Sequence, residues 1–375
     1  MGASGAIRAL GGVAAVLALV APASATAGGG PAVRYAEVGG NGPAGTCPLA
    51  DPCQVQDAIE NAAADPGDEI VLLPGTYDVG ANPLVIDQAL VVHGQDGQAR
   101  PTITGTAENL VEVSDVGALV RDLTITSNAP TGGVLLFSGG GGAGERIDAN
   151  GTSSGSACRF TTGAILRDSI CRNSGGGAGV TMSVSAGTHT TYLVNVTAMP
   201  SSMAALARAV QLLTTGTAIA DLQLHNTIAV TPSASPDVSA GAGAGSFASV
   251  TATNSNYQTA GLNMSGGTES VTAPGSGTNQ TAAPLVANVA GGDLHQVAGS
   301  PTINAGTGHV YLGTLDIDRG ARTVGPAPDI GADEFVPPTP VTPTPPAAVK
   351  KCKKGQKLKK IKGKKRCVKK KKKKK

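Results

Sequence analysis

An all-β solenoid is the fold this sequence predicts, and three observations carry the prediction. Short apolar runs, Val71-Leu72-Leu73, Leu84-Val85-Ile86, Leu90-Val91-Val92, Leu119-Val120, Ile165-Leu166 and Leu193-Val194, each precede a turn rich in Gly, Ser, Thr or Asn. Their spacing of roughly 20–27 residues is that of coils that bury an apolar face only against their neighbours. The composition agrees: 53 glycines, no tryptophan and 2% aromatic residues suit a thin core of stacked Val, Ile, Leu and Ala. The repeated β-branched runs argue against disorder as the source of the Gly and Ser content.

Taken in order, the chain starts with the pattern of an export signal. Arg8 supplies a positive n-region, and Ala9 to Ala21 is apolar but too short to cross a bilayer. Ala25-Thr26-Ala27 offers an A-x-A cleavage site, with Ala23-Ser24-Ala25 as the alternative. Residues 1–27 are therefore expected to be removed, leaving no transmembrane span in the mature protein. The expected location is outside the cell: secreted, on the cell surface or in the wall. The solenoid then occupies 28–336, a Pro-rich linker 337–349 and a Lys-rich tail 350–375. Six cysteines fall into three close pairs, Cys47 with Cys53, Cys158 with Cys171, and Cys352 with Cys367. Six cysteines allow 15 connectivities, but an even count in an exported chain favours oxidised neighbours. No pair has C-x-x-C spacing or a nearby His, which argues against a metal.

Gln54 to Ala64 reads as the one helix before the coils. Val55, Ala58, Ile59 and Ala62 share a face, and Asp65-Pro66-Gly67 stops it. A solenoid needs a polar-backed cap over its open end, and this helix, tethered by the Cys47–Cys53 loop, is placed to provide one. Glu69-Ile70-Val71-Leu72-Leu73 then enters the first strand, and Pro74-Gly75-Thr76-Tyr77 turns out of it.

The run from Gln56 to Tyr77 resembles the start of right-handed parallel β-helix proteins of the pectate-lyase-like superfamily. Ser300-Pro301-Thr302-Ile303-Asn304-Ala305-Gly306, Asp316-Ile317-Asp318-Arg319-Gly320, Arg322 and Asp329-Ile330-Gly331-Ala332-Asp333-Glu334-Phe335 are similar to the closing signature of bacterial choice-of-anchor Q proteins. The resemblance covers about residues 50–336 and implies a right-handed parallel β-helix whose last segment closes it. It implies no chemistry, because one fold hosts many functions.

Within the body, Gly117-Ala118-Leu119-Val120-Arg121-Asp122 aligns with Gly163-Ala164-Ile165-Leu166-Arg167-Asp168, and Val194-Asn195 and Ala220-Asp221 continue the column. Two coils fit between Asp122 and Asp168. Stacked side chains at the ~4.8 Å strand spacing repel when alike, so Arg121 and Arg167 read as compensation. Met199 to Leu213 reads as a short helix begun at Ser201 or Ser202, and Ser239 to Ser246 as an exposed loop.

Two chemistries compete with a structural reading. A calcium-dependent polysaccharide lyase would place Asp122, Asp168 and Asp221 around the ion, with Arg121 or Arg167 as the base, because the body has no Lys at all. A charged, Arg-compensated ladder explains the same residues without catalysis and is the favoured reading. A hydrolase would need paired carboxylates across a cleft and aromatic platforms, and neither is visible. His93, His189, His225, His295 and His309 are scattered and read as surface or turn residues. Asp316, Asp318, Asp329 and Asp333 form the other oxygen-rich group and are the candidate calcium ligands. They lack EF-hand spacing, and the preferred alternative is that Asp318, Arg319 and Arg322 pair with Asp329 or Asp333 to lock the last coil.

Charge is segregated. All 17 lysines lie from Lys350 onward with Arg366, while 11 arginines face 26 carboxylates in the rest of the chain. PPTPVTPTPP, residues 337–346, reads as a polyproline-II spacer. Lys350, Lys351, Lys353, Lys354, Lys364, Lys365, Arg366, Lys369 and Lys375 mark a polyanion-binding tail, with a hairpin closed by Cys352–Cys367 ahead of a lysine brush. The tail has no aromatic residue for base stacking, which disfavours nucleic acid and leaves anionic cell-envelope polymers or polysaccharide as the expected partner. The expected function is a surface-retained scaffold or binding rod. The alternatives are the lyase and an adhesin reading glycans through its loops.

Overall fold

A computed structural model describes residues 32–43, 45–60, 67–129, 131–204, 207–338, 352–361 and 364–370 of the 375-residue chain. The expected export signal, most of the Pro-rich linker and the final lysines lie outside the described residues. The chain divides into two compact units, Met1–Val336 and Pro337–Lys375.

The first unit is a right-handed parallel β-helix, as the sequence predicted. The coils from Glu69 to Ala229 lay one strand on each of three faces. The first face runs from Val33–Ala36 through Glu69–Leu72, Val91–Gly94, Leu119–Arg121 and Ala143–Glu145. It continues in the leading halves of Ile165–Asn173 and Thr188–Ala198, then in Ile219–His225, Phe247–Thr253 and Thr268–Val271. The second face holds Thr76–Asp78, Thr102–Gly105, Thr124–Ser127 and Asp148–Gly151, and then the trailing ends of the two long strands and Ile228–Ala229. The third is an eight-stranded parallel sheet from Leu84–Ile86 to Ala260–Ser265.

In-register pairing turns the apolar positions into columns. Ile70, Val92, Val120, Gly144, Leu166, Leu193, Leu224 and Ala252 are successive partners on the first face and all point inward. Each side chain is covered by the coils on either side, so no coil could hold its core alone. Gly144 interrupts the column for a reason. A Cβ there would lie 2.8 Å from Leu166 and 3.0 Å from the Phe137 ring. Phe137 stacks on Phe160 with ring centroids 5.0 Å apart and fills the space from the third face. Cys158 and Cys171, both fully buried, cross-link the third face to the second through the interior, with Cα atoms 5.7 Å apart. The Cys47–Cys53 pair forms as expected.

The helix expected over 54–64 is Val55–Glu60, with Val55, Ala58 and Ile59 turned into the core; its expected end lies outside the described residues. It sits beside Val33–Ala36, a strand the sequence reading did not place. That strand, not Glu69–Leu72, opens the first face, pairing Val33 with Glu69. At the other end, Thr272, Thr278 and Asn279 accept the Ala252, Asn254 and Ser255 amides, so the last coil presents little open edge.

Two expectations fail locally. The helix expected within 199–213 does not form among the described residues: Val210–Thr214 is a strand of the third face between two parallel neighbours, with Val210 and Leu212 inward. Ladder pairing on both edges outweighs a helical apolar spacing rich in alanine. Ser239–Ser246 is not an exposed loop either, because Val238–Gly243 is a buried strand. Ala240 and Ala242 occupy inward positions and are fully buried.

Candidate functional site

From Leu119–Arg121 onward, one left-handed residue turns each coil from the first face to the second. Asp122, Arg146, Asp168, Asn195, Asn226 and Asn254 have φ of 59°, 51°, 49°, 53°, 48° and 48°. Asn and Asp tolerate this region because their short polar side chains bond locally. The expected column of Asp122, Asp168 and Asn195 is therefore present, with Arg146 as the intervening coil. Asp221 does not belong to it. Asp221 lies mid-strand, paired with Thr190 and Ser249, and the column continues through Asn226. The three aspartates proposed for one calcium site therefore do not share a site.

Asp122 and Asp168 are buried, at 1% and 0% exposure, beneath the segment that carries the closing signature. That segment does not cap the last coil. It runs back along the ladder as a strap. Thr307 bonds Asn226 and Asn254, Asn195 donates to the carbonyls of Asp329 and Gly331, Arg322 reaches Asp168, and Arg319 reaches Asp122. Ile317, Ile330 and Ala332 of the strap pack on Ile170, Met199 and Ile228, which point outward from the second face, forming a second core.

Charge along the ladder is closely matched. Arg146 forks onto Asp122, Nε to Oδ1 and Nη2 to Oδ2, both at 2.9 Å, and also pairs with Glu145. Arg121 adds a contact to Asp122 at 2.9 Å and Arg319 another at 2.8 Å. Burial alone would raise the Asp122 pKa, but hydrogen bonds from Arg146 and Arg319 hold it well below the usual carboxylate range. Asp168 is the opposite case. Burial pushes it up to about 7, and Arg322, at 3.4 Å, only partly offsets this. Arg167 bonds Glu145 at 2.8 Å. The favoured reading of Arg121 and Arg167 as compensation matches these contacts.

The other acidic group is distributed through the strap. Asp316 accepts the amides of Asp318 and Gly320, and Asp329 those of Asn304 and Phe335. These carboxylates shape turns. The pairs expected to lock the last coil are also different. Arg319 and Arg322 bond the ladder, Arg322 bonds Glu334 at 3.0 Å, and Asp318 bonds His295 at 2.7 Å. Ligand atoms of His295, Asp318 and Asp333 lie within 4.8 Å of one another. Asp318 and Asp293 both hydrogen-bond the His295 ring, chiefly Asp318, and push its pKa up to about 10. The imidazolium itself thus supplies the positive charge among these carboxylates, a poor fit to a calcium ligand set.

Sequence reasoning also missed a convergence of rings. Tyr192 and His225 stand on the first face, and the strap lays His309 and Tyr311 against them. Centroid distances are 5.0 Å for Tyr192–Tyr311 and 4.5 Å for His225–His309. The histidines read as scattered are 84 positions apart in sequence and adjacent in space, and only the strap's return path brings them together. His93, by contrast, bonds Glu69 at 2.6 Å.

In the second unit, Gln356–Ile361 and Lys364–Lys369 form the expected antiparallel hairpin, closed by Cys352–Cys367. Lys359 faces Arg366 and Lys360 faces Lys365 across the strands. Lys353, Lys354, Lys364, Lys365, Arg366 and Lys369 are exposed; Lys350, Lys351 and Lys375 lie outside the described residues.

No family model matches the chain and no curated protein matches it. Among solved structures the chain is similar to a pectate lyase, Pel9A, at 16% identity, covering 80% of this chain and 96% of that one with a TM-score of 0.37. It is also similar to a pectin methylesterase from Aspergillus niger at 12% identity, covering 71% and 94% with a TM-score of 0.36. Both likenesses concern the fold alone. Among the described residues, no helix is long and apolar enough to cross a membrane.

Proposed function

We propose that this chain is an exported β-helix rod, a scaffold or binding protein held at the cell surface or wall by its cationic hairpin and tail. The observation that carries this reading is the like-charge pairing in the hairpin. Lys359 opposite Arg366 and Lys360 opposite Lys365 destabilise a two-stranded ribbon, which is marginal on its own. An anionic polymer laid along the ribbon removes that repulsion, and each engaged cation adds about 1 kcal/mol near an anionic surface. Teichoic-acid-like or acidic polysaccharide components of an envelope have the required charge. The rod itself is acidic, so the two parts favour opposite partners.

The test is cosedimentation of the purified chain with isolated bacterial envelopes. The full chain is expected to pellet at low salt and to wash off at high salt, where exposed charges are screened. A chain truncated before Lys350 is expected to stay in the supernatant. Retention of the truncated chain at the full-length level would refute the reading.

A further inference from the structure

Outside the ladder, the hairpin and the His295 group, the most organised set of side chains lies on the open first face, over the strands Thr188–Ala198, Ile219–His225, Phe247–Thr253 and Thr268–Val271. Their register sets outward residues in rows. Ile219 lies beside Phe247; Thr190, Asp221, Ser249 and Ser270 form the next row; Tyr192, Gln223 and Thr251 form the third. Ile219 and Phe247 are 48% and 37% exposed, although the alanines that follow them, Ala220 and Ala248, are fully buried. Beyond the third row, His309 and Tyr311 of the strap stand against Tyr192 and His225.

The surface is therefore a polar floor of hydroxyls, one amide and one carboxylate between two margins, an exposed Ile–Phe pair on one side and a group of rings on the other. At about 3.3 Å per residue along a strand, the margins are roughly 15–20 Å apart, and four strands give a length of roughly 15 Å. Floor and margins together offer apolar contact with a few fixed polar groups, the arrangement that suits a small polar ligand with apolar faces. The aromatic supply is concentrated here. The chain has five tyrosines, of which Tyr77 and Tyr257 are buried with their hydroxyls bonded to backbone carbonyls. Two of the remaining three meet at this surface.

Charge selects among ligands. Asp221 is the ionisable carboxylate of the floor; it accepts from Gln223, and its shielded Oδ1 has no hydrogen-bond partner. Arg167 stands two coils from Asp221 and is bonded to Glu145. An anionic ligand would meet this carboxylate and, among the described residues of the site, no lysine or arginine. A sugar without charge meets neither penalty, presents C–H faces to rings and hydroxyls to Ser249, Ser270, Thr251 and Gln223.

We propose that this face of the rod, between Ile219–Phe247 and Tyr192–His309–Tyr311, is a binding site for a neutral oligosaccharide. The proposal does not rest on the cationic hairpin, which selects an anionic ligand.

The experiment uses the full chain in 0.5 M salt, about five times the ionic strength at which the Debye length is ~10 Å, so that the lysine tail is screened. Cello-, xylo-, manno- and chitohexaose are titrated separately by calorimetry. Saturable binding of at least one is expected. Tyr311→Ala, with thermal unfolding as the fold check, is expected to weaken it roughly tenfold, Tyr311→Phe to leave it within roughly threefold, and Gln223→Ala to weaken it several-fold. Hydrogen exchange of the unmodified chain with the bound sugar is expected to slow in 219–225 and 247–253, a readout that needs no variant. No binding by any of the four sugars, equal affinity in Tyr311→Ala, or protection confined to other coils would overturn the proposal.

Discussion

The Arg319 guanidinium donates from Nε to Asp122 Oδ1 at 2.8 Å, joining residues 197 positions apart. This contact fixes the far end of the strap to the coil of Leu119–Arg121, so the strap's stability is coupled to the ladder's charge. Asp122 also holds Arg146, which is only 6% exposed. Removing the carboxylate leaves that guanidinium buried without it. Asp122→Ala is expected to cost about 3–5 kcal/mol, the range for a broken buried pair. Arg319→Ala removes a partly exposed partner and is expected to cost about 1–2 kcal/mol. Because the Asp122 pKa is depressed in the folded state, its contribution is present above the unfolded value of about 4 and is lost as pH falls through the acid range. Denaturant titration of the three proteins between pH 3 and pH 7 measures this. An Asp122→Ala chain as stable as the parent at pH 7 would contradict the coupling.

Asp168 makes the opposite prediction. Its carboxyl, fully buried, has Oδ2 without a partner and Arg322 at 3.4 Å on the other oxygen. Folding raises its pKa from about 4 to about 7, so between these values the folded chain keeps a proton that the unfolded chain has released. Stability contributed by this group is present below about pH 4 and is lost as pH rises toward 7 and beyond. Asp168→Asn places in the ladder the residue type already found at Asn195 and Asn226, and it cannot titrate. The variant is expected to gain stability relative to the parent between pH 5 and pH 8, with a limiting slope of about 1.4 kcal/mol per pH unit for one proton. Parallel pH–stability curves for the two proteins would exclude a raised Asp168.

These two aspartates also show what could be read in advance. Asp122 and Asp168 were legible because each ends the same six-residue pattern, and each stands at the bend where its coil turns. Arg146 was not, since Gly144 replaces the aliphatic residue, and Glu145 the arginine, that flagged its neighbours. Asn226 was displaced by Asp221, a residue of the right type five positions too early, because the coils between Asp168 and Asn254 are longer and an Asp is the more visible match. The closing signature was legible as a unit, but its path was not. Contacts such as Thr307 with Asn254 and Arg319 with Asp122 depend on how far the strap travels, and no local pattern encodes that distance. The ring group at Tyr192 is invisible for the same reason: half of it arrives on the strap.

The Cys158–Cys171 bond tests how far the coils depend on one another. Both sulfurs lie inside, between the Phe160 stack and the second face, in a loop of 13 residues. Closing a loop of that size is worth about 3 kcal/mol in the unfolded-chain picture, and replacing both cysteines with alanine also thins the core. Cys158→Ala/Cys171→Ala is expected to lower unfolding free energy by about 3–5 kcal/mol. Hydrogen exchange is expected to accelerate first in Cys158–Phe160 and Ile165–Asn173 and less in coils at either end, because neighbours interact only pairwise. Uniform acceleration across all coils would mean that the rod unfolds as one cooperative unit.

The disulfide of the tail has a different task. Cys367 pairs with Leu358 on one side of the hairpin, the side that also carries Lys360 opposite Lys365. The bond to Cys352 holds two strands whose facing cations push apart, so it presents charge in a fixed array before any polymer arrives. Opening it leaves every lysine in place but makes binding pay the ordering entropy of the ribbon, about 1 kcal/mol or more per residue fixed. Cys352→Ser/Cys367→Ser is therefore expected to weaken retention on envelopes several-fold at low salt without reaching the level of a chain truncated before Lys350. The dependence of retention on salt reports the number of cations engaged and is expected to stay the same for the parent and the double variant. A double variant that binds as tightly as the parent would show that charge count alone governs the tail, and that the hairpin contributes nothing by being formed in advance.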